Sequence, residues 1–348
     1  MSRSLAVVAA VLCACSGAPP RDPDAPPDLL VVVVPSTWGA APPEVLAPHV
    51  LHFPQAQSVH TTPESSWRAL VTGQWPGTAG SARPNTMQSV LGLYGYRTVG
   101  RVPAFDLHPS VQFLTDGFDA ATFSADGCLA DHLSALARIH PEGTDRAVFA
   151  VVASSRGDCD PAREQAALAG VLSGPHSAHR ITAVVSIDAS DWREPDASAP
   201  LYFAGGGFVP GARQGFASLV DLVPTLLTEG RAVVPSDASG TPLQPSSERA
   251  MGPQVVFQQA PGGTVGIRTP DHLLFLTGID GPLPAQLPEA TTPVVQPLRD
   301  GVAPVAEVVA PLYQALAQWD RQRRATSAAD RMGSDAFRDM LRDQGYWH

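Results

Sequence analysis

Lysine is missing altogether: all 23 basic residues of the 348-residue chain are arginine. A catalytic lysine is therefore excluded. Acidic residues outnumber the arginines and leave a net charge of -10, and the arginines gather only at Arg321, Arg323 and Arg324. Binding a phosphate backbone needs a basic surface, so nucleic acid is set aside as a partner, and the short arginine run reads as the solvated face of a helix. Cysteine is scarce as well, with four in the chain. The N-terminal apolar run, Leu5 to Leu12, is too short to span a bilayer. No internal repeat is visible. What remains is enough chain to bury a sizeable core, as one large α/β domain or one with a smaller companion.

The N-terminus reads as an export signal, with Arg3 supplying positive charge, Leu5 to Leu12 an apolar core, and small residues beyond. Leu12-Cys13-Ala14-Cys15 resembles a bacterial lipobox, which implies cleavage after residue 14 and lipidation of Cys15. Plain secretion, with cleavage near Ala14 or Gly17, is the alternative. On the lipoprotein reading the Pro-rich residues up to Pro27 are a tether, the membrane is a partner through the lipid, and the protein belongs to the cell envelope, in the periplasm or at the cell surface. Cys128 and Cys159 are then the remaining pair. In an exported protein they are a candidate disulfide, although sequence does not fix their distance, and no partnered ligands stand at zinc spacing around them.

Apolar runs alternate with helical stretches, as expected of a sheet covered on both faces. Strands are expected at Leu29–Val34, Arg97–Arg101, Ala147–Ala153, Thr182–Ile187 and Leu201–Ala204. Helices are expected at Ser65–Thr72, Thr86–Tyr94, Leu129–Ile139, Pro161–Leu172, Leu219–Leu227, Val305–Arg323 and Ser334–Gln344. After Leu227 the texture becomes rich in Pro and Gly, with shorter apolar runs at Gln254–Phe257 and His272–Phe275. The division expected is an α/β domain over 28–245 and a smaller C-terminal part over 246–348 that completes the fold.

Several stretches, read in order, resemble the sulfatase branch of the alkaline phosphatase superfamily. The clearest is Ala199-Pro200-Leu201-Tyr202-Phe203-Ala204-Gly205-Gly206-Gly207, then Val209-Pro210-Gly211, then Ser218-Leu219-Val220-Asp221-Leu222-Val223-Pro224-Thr225-Leu226-Leu227. Leu70-Val71-Thr72-Gly73, Gly95-Tyr96-Arg97-Thr98, Gly117-Phe118-Asp119, Gly266-Ile267-Arg268-Thr269-Pro270 and the terminal Leu341-Arg342 with Gly345-Tyr346 agree. The resemblance covers nearly the whole mature chain. It implies a mixed, mostly parallel central sheet with helices on both faces, alkaline phosphatase-like, plus a smaller C-terminal subdomain. Asp221 reads as a helix cap rather than a reactive acid.

The chemistry of that family requires a divalent cation, Ca or Mg, held by several carboxylates, because a hard cation stripped of water needs negative charge at short range. Two of those acids directly follow the first strand. Here the position reads Pro35-Ser36-Thr37. A later turn reads Ser186-Ile187-Asp188-Ala189-Ser190, so Asp188 is the one ligand the resemblance leaves. The family nucleophile, a Cys or Ser converted to formylglycine, opens a helix in a Cys/Ser-x-Pro-x-Arg motif. The equivalent here is His60-Thr61-Thr62-Pro63-Glu64-Ser65-Ser66-Trp67-Arg68, where Thr61 or Thr62 stands at the nucleophile position but cannot give formylglycine. The same residues also read as a simple helix cap. Asp158 and Asp160 alternate like oxygen ligands of a loose Ca²⁺ site but read as solvated or helix-capping, and His176 with His179 is set aside as a metal pair because Gly174-Pro175 argues for a loop and no third ligand stands nearby.

These readings lead to an envelope lipoprotein of sulfatase-like fold, catalytically degenerate, with no cofactor, serving as a binding or structural module for an unknown envelope ligand or protein. The alternative is an active sulfuric or phosphoric ester hydrolase or transferase with a rearranged site built on Thr61 or Thr62, Asp188 and a divalent cation.

Overall fold

Strand β1 (Asp28–Val33) is buried along its whole length and divides the interior. Leu29, Val31 and Val33 enter one apolar cluster, while Leu30 and Val32, with Val34 beyond the strand, enter another. Successive side chains of a strand point to opposite faces, so a continuous apolar run is what a doubly covered strand needs. The structure, a computed structural model, describes residues 25–60, 62–75, 84–102, 116–123, 127–139, 147–153, 159–174, 177–187, 193–194, 198–243, 255–289, 291–302 and 305–324. The lipobox with Cys15, Thr61, Asp158, His176, Asp188, the helix expected over Ser334–Gln344 and the terminal family-like fragments lie outside them.

Further strands are β2 (Leu51–His52), β3 (Gln55–Gln57), β4 (Arg97–Val102), β5 (Ala120–Phe123), β6 (Val148–Ala153), β7 (Arg180–Val185), β8 (Leu201–Ala204), β9 (Gly211–Ala212) and β10 (Phe216–Ser218). The main sheet has the order β5-β4-β6-β1-β7-β8-β2-β9. β5, β4, β6, β1 and β7 are parallel, and β8 runs antiparallel to both β7 and β2. The sheet is thus mixed and mostly parallel. Helices α1 (Pro63–Thr72) and α2 (Met87–Leu93) cover one face together with α5 (Leu222–Glu229), through side chains such as Trp67, Leu91 and Leu226. Helices α3 (Leu129–Ile139) and α4 (Pro161–Ser173) cover the other through Leu129, Leu133, Leu168 and Leu172.

A separate antiparallel meander, β11 (Val256–Ala260), β12 (Thr264–Arg268), β13 (His272–Leu276) and β14 (Val294–Pro297), packs against α6 (Val305–Arg324). Phe257 stacks on Trp319 with ring centroids 5.2 Å apart, and Trp75 meets both rings edge-on. The arginine run is only in part the solvated face the sequence suggested: Arg321 is exposed and Arg324 half-buried. Arg323 is buried, lies 4.8 Å over the Trp319 ring and pairs with the fully buried Asp320 at 2.5 Å, while Arg324 reaches the same carboxylate at 2.9 Å. Asp320 also accepts the Leu283 N–H, so one acid holds two cations and a loop. No described helix is long and apolar enough to cross a membrane.

Candidate functional site

In sheets of this kind ligands gather beyond the carboxyl ends of the parallel strands. Val33 of β1 is level with Ala153 of β6 and Val185 of β7, and the Val34 N–H donates to the Val185 carbonyl at 2.8 Å. Pro35 and Ser186 therefore emerge side by side, and the topology brings to one edge the two segments that the sequence singled out, Pro35-Ser36-Thr37 and the run into Asp188. Ser36–Trp38 forms a single 3₁₀ turn closed by Trp38 N–H to Pro35 O and Gly39 N–H to Ser36 O. Gly39 follows at φ 72°, a left-handed conformation that glycine adopts without strain. Trp38 seals the turn into the core, leaving Ser36 half-buried and Thr37 exposed. Neutral hydroxyls cannot replace two carboxylates, so the described residues at this edge do not fit a hard divalent cation.

The segment carrying the nucleophile position leaves the same edge. The Phe53 N–H donates to the carbonyl of Leu201, which is level with Val185. Thr62 is the N-cap residue of α1, yet its hydroxyl makes no capping bond, contrary to the simple cap expected. Its N–H donates instead to His60 Nδ1 at 2.9 Å, and its Oγ1 lies 3.0 Å from the same nitrogen. His60 was missed as a candidate, although it stands directly before Thr61-Thr62-Pro63. It is buried, its carbonyl accepts from the Ser58 and Ser66 hydroxyls, and a β-bridge ties it to Gln259 of β11. Burial pulls its imidazole down to about 4, so it is neutral at neutral pH. From the meander Arg268, also buried, donates through Nη1 to the Glu194 carbonyl at 3.1 Å, pinning the segment that follows Asp188.

Of the pairs set aside as metal sites, Asp160 and His179 are among the described residues. Asp160 caps α4 by accepting the Ala162 N–H at 3.0 Å, and His179 is exposed in a 3₁₀ turn. Cys128 and Cys159 are joined in a disulfide, with Cα atoms 5.6 Å apart, that ties the start of α3 to that of α4. Among the described residues the one close cluster of metal-type ligands is this pair with Glu164. Its sulfurs are bonded to each other and Glu164 accepts the Leu129 N–H, so the cluster fits no metal.

The family-like signature also resolves into scaffold. Asp221 does serve in capping: Ser218 is the N-cap residue of the 3₁₀ turn that leads into α5, Asp221 is the far half of its capping box, and Asp221 is also the N-cap position of α5, where its side chain makes no capping bond. The Asp221 carboxylate accepts the Ser218 N–H and the Thr241 N–H, both at 2.8 Å. Thr225 Oγ1 accepts the Leu243 N–H and donates to the Asp221 carbonyl. The two polar residues of Val-Asp-Leu-Val-Pro-Thr-Leu thus clasp the backbone of residues 241–243. Complete burial raises the Asp221 carboxyl to about 6 despite these donors.

The architecture defines the chain as having the alkaline phosphatase-like fold. It is similar to a protein of the alkaline phosphatase superfamily from Vibrio parahaemolyticus, at a TM-score of 0.60 and 16% identity over 85% of this chain and 86% of the other. A phosphonate monoester hydrolase from Silicibacter pomeroyi matches at 0.59 and 12% identity, over 92% and 95% of the two chains. A sulfatase from a Pseudoalteromonas species matches at 0.54 and 15% identity, over 78% and 84%. No protein-family model and no curated protein matches the sequence.

Proposed function

We propose that the protein is a sulfatase-like module of the bacterial cell envelope, exported and lipid-anchored through Cys15, that binds an envelope ligand or serves as structure without cleaving an ester. The observation that carries this reading is the end of β1: the chain arrives where a cation would be held and offers Pro35, Ser36 and Thr37. Fold rests on packing and chemistry on the site, so a scaffold can outlast its reaction. The full-length protein, purified from membranes, is expected to hold no stoichiometric divalent metal and to leave aryl sulfates and aryl phosphates intact. Bound metal and turnover, both lost in Asp188→Ala, would overturn the reading. Cys15→Ser is expected to release the protein from the membrane fraction.

One observation favours the active alternative, the 3.0 Å approach of Thr62 Oγ1 to His60 Nδ1. A hydroxyl beside a neutral imidazole is the start of a nucleophile and base pair. The geometry limits it, because the single lone pair of Nδ1 already receives the Thr62 N–H. Ester cleavage abolished by Thr62→Val and by His60→Asn would establish that alternative.

A further inference from the structure

The described chain enters at the end of the molecule opposite the candidate site. Pro27, at the root of the N-terminal segment, accepts a hydrogen bond from the Tyr96 hydroxyl at 3.0 Å, and the same hydroxyl lies 3.4 Å from the Gly230 carbonyl. Glu229, next to Gly230, in turn approaches Gly206, where a Cβ would lie 3.7 Å from its Oε2. Gly206 belongs to this end because β8 runs against β7, setting Ala204 level with Thr182 near the start of that strand. Pro27, Tyr96, Gly230 and Gly206 therefore line one continuous face across the amino ends of the parallel strands.

That face carries large apolar side chains turned outward. Leu93 is 87% exposed and Tyr94 46%, in the turn before Tyr96; Val209 is 69% exposed, three residues after Gly206; Val233 is 67% exposed, three residues after Gly230. Single exposed apolar residues are ordinary, but these are four of the seven large ones found among the described residues, gathered around the root of the tether. From β4 to β8 they span about 19 Å at the usual strand spacing. Nothing in the net charge of -10 favours attraction to anionic lipid, so the chemistry available to the face is apolar insertion, with Tyr94 suited to the headgroup level.

From these observations we infer that this face, around Leu93, Tyr94, Val209 and Val233, rests on the bilayer that holds the N-terminal lipid, presenting the carboxyl edge of the sheet away from the membrane. The inference rests on the lipid-anchored reading above. Eleven residues lie between Cys15 and Pro27, and the twelve steps from one to the other would reach about 37 Å in a polyproline conformation. β1 alone is about 20 Å long, so turning the molecule over would use more than half of that reach before any loop is passed.

The test places a photo-crosslinking benzophenone amino acid at position 93, 209, 233 or, as the opposite-edge control, at exposed Thr37 in the full-length chain expressed in bacteria. Irradiated membranes are then examined for lipid adducts, with thermal unfolding confirming that each variant folds like the parent. Lipid adducts at 93, 209 and 233 and their loss at 37 are expected. Adducts to protein instead of lipid, equal lipid adducts at 37, or no adducts in a chain that sediments with the membrane would overturn the contact while leaving the anchor intact. A chain that stays soluble and is indifferent to Cys15→Ser would remove the anchor and the contact together.

Discussion

His60 and Asp221 respond to acid in opposite directions. His60 is held near 4 in the fold against 6.5 in an unfolded chain. Its contribution is complete above pH 6.5 and is lost as pH falls towards 4, when the proton that arrives on Nδ1 displaces the Thr62 N–H. The linked change is about 3 kcal/mol. Asp221 is raised to about 6 from 3.8, so its contribution is complete below pH 3.8 and is lost as pH rises through 6, again by about 3 kcal/mol. Denaturant unfolding followed from pH 7.5 to 4 should show the margin of wild type over His60→Asn narrowing, and its margin over Asp221→Asn widening. A flat margin in either variant would refute that assignment. Neither behaviour was legible in the sequence, where His60 carried no signal beyond its place before two threonines and Asp221 looked like an ordinary helix start.

The elements were legible in proportion to how locally they are determined. β1, β6 and β8 were found within a residue because their burial on both faces demands an unbroken apolar run, and α3 was found at its exact bounds from its helical periodicity. β2, β3 and β9 are two or three residues long, too short for any periodicity, and exist because a neighbour pairs with them. β12 went unread as a strand although Gly266-Ile267-Arg268 marked the region, since its Arg268 is buried by a partner distant in sequence. α5 begins later than expected because the Ser218–Asp221 capping box turns its first residues into a 3₁₀ turn. The disulfide lies between two elements that local reasoning places but cannot orient. It closes a loop of sequence separation 31 that contains α3 and β6 and ends just before α4. Cys128→Ala with Cys159→Ala should lower stability by about 3–4 kcal/mol, and reductant should depress the melting temperature of wild type but not of the double variant.

Across the whole molecule, the meander and α6 are held to the rest by a few contacts made over long stretches of chain. Trp75 reaches from beyond α1 to Phe257 and Trp319, and Gln258 donates to the Ser58 carbonyl at 2.8 Å. Within the C-terminal part Asp320 is the keystone, and its removal would strand Arg323 as a buried charge. Asp320→Ala is expected to cost about 3–5 kcal/mol, with Arg323→Met restoring much of that loss in the double variant, as a thermodynamic cycle of unfolding experiments would show. Additive losses would mean that the two residues act separately. The sequence marked Pro35-Ser36-Thr37 and the entry to α1 through the motifs around them, and the topology sets the first of these beside the run into Asp188. The alliance of Thr62 with His60 was not legible, because it depends on how α1 is entered.

The reversal of β8 makes the two ends of the sheet unequal in what they tolerate. It carries Gly205-Gly206-Gly207 to the pole remote from Pro35, where a Cβ on Gly205 would sit 1.9 Å from the Arg180 carbonyl. Any side chain added there has to displace main chain, whereas one changed at exposed Thr37, at the other pole, meets solvent first. One pole is closed to revision by its own backbone, and the other can be recut without disturbing the sheet that carries it.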